Sequence, residues 1–287
     1  MRGYKKASYL AMAIWLTLIL AHSAIHSTVS IILFNGGVLQ KALAFQQTAA
    51  PCKIWLIGSS PVFFGLQASK IQATTHCMTI NFGLNRTGGD LLDDYLQSLL
   101  PYIRSGDIVI LCDRRWLDLS RPGDHSFKFH SIPRLFKNLS MVPNLRSDAG
   151  SLPFAKIEKR TEYGDLEIFP PPAKPFTSLD GTLLFSPKNM GLMKNAQAVI
   201  TAVGATALLV SPPTLLTEKT KQGIPPKLAR IERQVATEMG AGVWLPPLLE
   251  TDHSLFSTDS EHSSAEGRQR WTDYLTRALL ARQTPKV

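Results

Sequence analysis

Two short segments, far apart in the chain, carry side chains that could perform nucleophilic chemistry. Gly58-Ser59-Ser60 places a hydroxyl directly after an apolar run, and Asp259-Ser260-Glu261-His262 places a carboxylate three residues before an imidazole. A serine hydroxyl is a weak nucleophile that needs an adjacent base. His262 could be this base and Asp259 could orient its ring, because a triad is defined by geometry and not by the order of its members. The two segments together predict nucleophilic chemistry at Ser60.

Each segment alone has a simpler interpretation. A Gly-Ser-Ser after a strand is often a turn or a helix cap, and a single histidine such as His262 is often a surface residue. His253, which follows Asp252, is an alternative base. The sequence has no glycine-rich phosphate-binding loop and no cluster of metal ligands, so we expect neither an organic cofactor nor a metal.

The elements that would position these residues alternate between strands and helices. Short apolar runs predict strands, and amphipathic runs predict helices. The alternation predicts an α/β domain of three layers, with a doubly wound sheet of five parallel strands covered by helices on both faces. Active crevices in such sheets lie beyond the carboxyl ends of the strands, where Ser60 would lie. The predicted strands are 53–58, 77–82, 107–112, 206–210 and 242–245, and the predicted helices are 89–103, 187–203, 226–239 and 264–282.

Residues 113–185 interrupt this alternation. The segment contains eight prolines and little periodicity, which predicts an irregular insertion. Its first half is basic and begins with Arg114 and Arg115. Two interpretations remain open, a solvated loop and a surface that binds an anionic substrate.

The N-terminus has the pattern of a membrane anchor. Arg2, Lys5 and Lys6 precede residues 7–34, which contain no charged side chain. This run is long enough to span a bilayer as a helix, and the basic residues before it favour a cytoplasmic N-terminus. We therefore predict an anchor and tether over 1–45 and an exported domain over 46–287. A signal peptide cleaved near 21–23 or 42–44 and a buried core helix are the alternatives.

The net charge of +9 is concentrated near this predicted anchor. Residues 1–89 carry seven basic and no acidic side chains, which gives this part a charge of +7. A nucleic-acid-binding protein more often shows a basic stripe across its folded domain. We therefore expect no nucleic-acid partner.

Three cysteines are too few for a disulfide-built scaffold. Cys52 and Cys77 precede the first two predicted strands, at the same end of the sheet. An oxidising exterior permits a disulfide between them, although neighbouring strand starts often fail the distance requirement, and both outcomes remain open. Cys112 is predicted to be a buried thiol.

From Lys53 to Arg282, with the insertion unmatched, the chain resembles the SGNH/GDSL hydrolase superfamily, specifically its membrane-anchored members. Ile57-Gly58-Ser59-Ser60 resembles the Gly-Asp-Ser block, with Ser59 in place of Asp, and residues 256–268 resemble the C-terminal block. The resemblance implies the flavodoxin-like version of the predicted fold, with Ser60 as nucleophile and Asp259 and His262 completing the triad.

The resemblance also implies an oxyanion hole. Its donors would be the Ser60 N–H and a backbone N–H from the second block, at Gly83, Gly88 or Gly89. The third block normally contributes an Asn, but this chain reads Cys112-Asp113-Arg114-Arg115. Loss of one oxyanion donor costs about 3–4 kcal/mol of transition-state stabilisation. Either Arg114 or Arg115 replaces it as donor, or hydrolysis is slow, and a transferase that shields its acyl-enzyme from water could also use a remodelled hole. Arg114 and Arg115 are also the expected substrate contacts.

The implied function is that of a serine esterase or O-acyltransferase. It would act on acyl groups, acetyl above all, of a carbohydrate or cell-envelope polymer. The domain would lie in the periplasm or outside the cell, held by a single span in the inner membrane. The alternative is a catalytically degenerate scaffold that binds glycan or partner proteins of an exopolysaccharide assembly.

Overall fold

A computed structural model of the chain describes residues 39–83, 90–119, 163, 165, 183–216, 218, 220–256 and 263–283. The chain divides into two units, of which one comprises Ala42–Ser126 and Glu158–Val287. Nearly all described residues belong to this unit. The other unit, Met1–Lys41 and Phe127–Ile157, lies outside the described residues apart from 39–41.

The described residues form an alternating series of strands and helices. Three short 3₁₀ turns lie at Leu100–Tyr102, Arg114–Trp116 and His253–Leu255. The series runs α1 (39–47), β1 (Lys53–Gly58), α2 (Ser60–Gly65), α3 (Ala68–Thr75), β2 (Met78–Gly83), α4 (Asp90–Leu99), β3 (Ile108–Cys112), β4 (Asp118–Leu119), β5 (Leu183–Leu184), α5 (Pro187–Ala202), β6 (Thr206–Val210), β7 (Thr214–Leu215), α6 (Ile224–Met239), β8 (Trp244–Leu245), β9 (Leu249–Glu250) and α7 (Ala265–Gln283).

The central sheet has five strands in the order β2-β1-β3-β6-β8, and every pair in it is parallel. The predicted α/β class and five-stranded parallel sheet are therefore confirmed. This order is that of a flavodoxin-like doubly wound sheet, in which the direction of winding reverses between β1 and β3. At the carboxyl end of the sheet Gly58 lies between Gly83 and Cys112.

Both faces of the sheet are buried, as a parallel sheet requires. On one face, Ile54, Ile110 and Leu208 form a core with residues of α2, α3 and α7. On the opposite face, Trp55 makes an edge-to-face contact with Phe45 of α1, with ring centroids 4.8 Å apart. The three-layer arrangement follows from side chains that alternate between the two faces along each strand.

Strand β2 is an edge strand whose alternate outward N–H groups already donate to acceptors within the protein. Thr79 N donates to Gln72 Oε1 over 3.0 Å, and Gly83 N donates to Asn81 Oδ1 over 2.8 Å. Between them, Asn81 N donates to the carbonyl of Tyr163, also over 2.8 Å. A residue of the predicted insertion is therefore joined directly to the sheet.

Several elements differ from those predicted. The tether predicted after residue 35 is helical over residues 39–47, and Phe45 in it is buried. Helices α2 and α3 were not predicted, because they are short and α2 is buried on nearly all sides. Two small additional sheets, β4-β5 and β7-β9, flank the main one.

No helix among the described residues is long and apolar enough to cross a membrane. The span predicted over residues 7–34 lies outside the described residues.

Cys52 and Cys77 form a disulfide, with Cα atoms 4.9 Å apart. The bond joins the segments that lead into β1 and β2, and it encloses α2 and α3 between its two ends. Of the two outcomes that the sequence left open, the disulfide is therefore the one observed. The prediction that Cys112 is a buried thiol is confirmed.

Removing this disulfide should lower the free energy of unfolding. The bond links residues 25 positions apart, and closing a loop of that size stabilises a fold by about 2–4 kcal/mol. Urea denaturation of a C52S/C77S variant should show this loss, and reduced wild-type protein should show the same one. Equal stability of the oxidised and reduced wild-type proteins would contradict the prediction.

Candidate active site

Ser60 lies where the sheet reverses its winding. It is half-buried and is the first residue of α2, directly after β1. The carbonyl of Ser59 accepts hydrogen bonds from the N–H groups of Val62 and Phe63, which fixes the start of the helix. Pro61 favours the first turn because its φ already suits a helix. The predicted nucleophile therefore lies at the carboxyl end of β1, beside the end of β3.

Helix α2 lies so close to the sheet that two positions beneath it exclude a side chain. A Cβ on Gly58 would lie 2.4 Å from Val62 Cγ2, and a Cβ on Gly83 would lie 2.5 Å from the backbone nitrogen of Phe63. Both distances are too short for any larger residue. The two glycines at the carboxyl ends of β1 and β2 therefore determine how closely α2, and with it Ser60, approaches the sheet.

Asn81 of β2 holds α2 against the sheet through hydrogen bonds of its side chain. Its side-chain amide donates to the carbonyls of Val62 and Leu66, over 3.1 and 3.2 Å, and the residue is buried. Its oxygen accepts from Gly83 N. The Gly83 amide is thus bound to Asn81 in this structure, although we expected it to be a candidate oxyanion donor. Gly88 and Gly89, the other candidates of this block, lie outside the described residues.

The third block forms a charged cluster after β3. Arg115 donates through Nε to Asp113 Oδ2 over 2.6 Å, and its Nη1 and Nη2 donate to the two oxygens of Asp93 over 2.9 and 2.7 Å. Although burial acts in the opposite direction, the hydrogen bonds that Arg115 donates to Asp93 and Asp113 raise its pKa above its ordinary value. Arg115 thus binds two carboxylates of its own chain, whereas its neighbour Arg114 is exposed.

Asp259 and His262 lie outside the described residues, but both ends of the loop that contains them are described. Phe256 and Ser263 form an antiparallel bridge, and both are buried. A Cβ on Gly65, at the end of α2, would lie 3.4 Å from Ser263 Oγ. The residue that follows the loop therefore lies beside Gly65, at the opposite end of α2 from Ser60, and it is paired with the residue that precedes the loop.

The alternative base has a different environment. His253 and Asp252 are both exposed. The Asp252 carboxylate accepts from the backbone N–H and the hydroxyl of Ser254, over 2.8 and 2.7 Å, and these hydrogen bonds lower its pKa. Asp252 therefore caps a 3₁₀ turn.

A groove of about 520 Å³ lies beside α7. Its lining includes Thr74, Glu250, Arg270 and Arg277, and among the predicted site residues that the structure describes, none belongs to it. Within the described ranges, no three His, Cys, Asp or Glu side chains are grouped as a metal ion would require.

Three buried polar residues near α2 were not predicted to have a role. Asn81 and Arg268 lie inside blocks that the sequence singles out, so their position was a usable signal. Asp165 lies in the irregular insertion, and nothing in the sequence around it indicates burial. All three are less than 4% exposed.

The chain matches no protein-family model and no curated protein sequence. A functional proposal for this chain therefore rests on its residues and their geometry.

Replacing Arg115 should destabilise the fold. In Arg115→Met, Asp113 would stay buried without its guanidinium partner, and breaking such a pair costs about 2–4 kcal/mol. Arg230→Met is the control, because Arg230 is exposed on α6, and this substitution should change the free energy of unfolding by less than about 0.5 kcal/mol. Denaturant unfolding measures both. Equal stability of the two variants would contradict a structural role for the Arg115 cluster.

Proposed function

We propose that the chain is a serine esterase or O-acyltransferase of SGNH type. The observation that carries the proposal is that Ser60 begins α2 at the β1/β3 switch point, while Ser263, which follows the loop containing Asp259 and His262, lies beside Gly65 of the same short helix. A nucleophile and its base must come within hydrogen-bond reach of one another, and the packing of Ser263 against α2 supports the proposal that these two do.

In the proposed reaction, the Ser60 hydroxyl attacks the carbonyl carbon of an acyl ester and His262 takes its proton. His262 then returns the proton to the leaving alcohol, and Asp259 holds the imidazole in the required tautomer. Water or a second hydroxyl attacks the acyl-enzyme in the last step, which gives hydrolysis or transfer. Acyl groups, acetyl above all, on a carbohydrate or envelope polymer are the proposed substrate.

The oxyanion would be stabilised by a remodelled set of donors. The first N–H groups of a helix have no partner inside that helix, so the Ser60 N–H is suitably placed to donate. Arg114 is exposed beside the same crevice and is the proposed second donor and substrate contact. Arg115 is the weaker candidate, because Asp93 and Asp113 already bind its guanidinium.

A scaffold without catalytic activity is the second candidate. The specific observation in its favour is that two expected oxyanion donors, the Gly83 amide and Arg115, are bound within the protein. A protein of this kind would retain the fold and bind glycan or partners of an exopolysaccharide assembly. Labelling of Ser60 distinguishes the two candidates.

The full-length protein in detergent should react with a fluorophosphonate probe and hydrolyse p-nitrophenyl acetate. Ser60→Ala should abolish labelling and lower kcat at least about 1,000-fold, as loss of a serine nucleophile does elsewhere. Ser59→Ala is the matched control, because the Ser59 hydroxyl makes no capping bond, and it should keep both activities. An unlabelled wild-type protein, indistinguishable from Ser60→Ala, would favour the scaffold.

We further propose that the domain lies outside the cytoplasm, tethered to the inner membrane through residues 7–34. The Cys52–Cys77 disulfide supports this location, because disulfides persist in oxidising compartments and are rare in the cytosol. The uncharged N-terminal run supports the tether.

Thiol trapping in cells tests this location. After acid quenching and denaturation, the full chain should show one alkylatable thiol, that of Cys112. A variant lacking residues 7–34 would remain in the cytoplasm and should show three, because the cytosol keeps thiols reduced. Three reactive thiols in the full chain would contradict the proposed location.

A further inference from the structure

A buried polar cluster lies at the far end of α2 from Ser60. We call it the Arg268 cluster, and it consists of Asn81, Asp165, Arg268 and the carbonyl of Leu66. The three side chains belong to β2, the insertion and α7, and each is less than 4% exposed. Arg268 donates to the Leu66 carbonyl through Nε and Nη2, over 3.3 and 3.1 Å. The same carbonyl accepts from Asn81.

Asp165 connects this cluster to the next helix. Its carboxylate accepts from the backbone N–H groups of Ala68 and Ser69, over 2.7 and 3.0 Å, and from the Ser69 hydroxyl. These bonds cap the start of α3, where a carboxylate is favourable. Arg268 Nη2 lies 3.6 Å from Asp165 Oδ1. One carboxylate of the insertion therefore contacts both α3 and α7.

Burying a guanidinium between helices carries a large desolvation penalty. Burial lowers the pKa of Arg268, and Asp165 acts in the opposite direction. Replacing a buried ion pair by apolar residues of similar volume is often neutral or stabilising. Stability alone therefore does not account for an arginine here. What the guanidinium provides is a set of directed hydrogen bonds that an apolar side chain cannot make.

The position of Arg268 means that its hydrogen bonds connect α7 to the end of α2. It lies on α7, which follows the loop containing His262, and it binds the end of α2, which begins with Ser60. Thr272, one turn further along α7, accepts from Gln67 N over 3.1 Å. Helix α2 is only six residues and about 9 Å long, so a shift at its end is passed to its start.

We propose that Arg268 is a positioning residue of the candidate active site, which sets the distance between the helix of Ser60 and the helix that follows the His262 loop. The inference rests on the proposed function. A displacement of about 1 Å at a reacting centre can cost about 100-fold in rate. Arg268 would therefore affect kcat without contacting the substrate.

The test compares variants of the full-length protein with p-nitrophenyl acetate and the fluorophosphonate probe. Arg268→Met should lower kcat and the labelling rate about 10- to 100-fold, with KM within about twofold, because only the alignment changes. Arg270→Met is the matched control. Arg270 is exposed on the same helix and pairs with Glu250, so this variant should keep the wild-type kcat. A wild-type kcat in Arg268→Met would overturn the inference.

A double variant separates positioning from stability. Arg268→Met leaves the Asp165 carboxylate without its guanidinium and should lower the melting temperature. In D165N/R268M the charge is gone and the amide oxygen can still cap α3, so the melting temperature should recover while kcat stays low. Recovery of kcat together with stability would overturn the inference and leave Arg268 a purely structural role.

Two further outcomes remain distinguishable. If Arg268→Met does not fold, Arg268→Lys replaces it, because lysine keeps a cation near Asp165 and loses the paired donors to Leu66. Its kcat should fall about 10-fold, and a wild-type value would overturn the inference.

If the wild-type protein reacts no faster than Ser60→Ala, the proposed function fails and the inference fails with it, whereas active wild type and active Arg268→Met would overturn the inference alone.

Discussion

The close packing of α2 against the sheet is the constraint on which the candidate site depends. Gly83 brings the helix backbone almost into contact with the end of β2, and Gly58 leaves room for the Val62 side chain of the helix at the end of β1. Asn81 then binds the helix carbonyls. Side chains in protein interiors pack at nearly crystalline density, so a helix held in this way has one position and not a range of positions. The position of the helix fixes the position of Ser60, because Ser60 is its first residue.

The same constraint connects parts of the chain that are distant in sequence. The β2 strand holds α2 from one side, α7 holds its end through Arg268, and the insertion reaches the cluster through Asp165. Strand β2, helix α7 and the insertion are thereby all joined to one six-residue helix. Flavodoxin-like sheets use their switch point in different chemistries, so the fold permits the proposed reaction but does not require it.

Sequence patterns predicted the strands well and the polar contacts poorly. The runs at 53–58 and 206–210 coincide with β1 and β6, because a strand buried on both faces is continuously apolar and ends at recognisable residues. Helix α2 has no such pattern, since it is too short for a helical period and packs on several sides. The partners of Arg115 were not predicted, because the charge of a side chain does not reveal that Asp93 and Asp113 will fold beside it. Asp165 could not be foreseen at all, because its role depends on contacts 97 residues away.

The bonds along β2 have a consequence for how this molecule meets other copies of itself. An exposed edge strand offers its N–H groups as a template for another chain, and this is a common route to aggregation. Here Gln72, Tyr163 and the side chain of Asn81 already occupy the amides of Thr79, Asn81 and Gly83. A foreign strand could extend the sheet on this side only after breaking three existing hydrogen bonds, so the edge resists polymerisation while the fold stays intact.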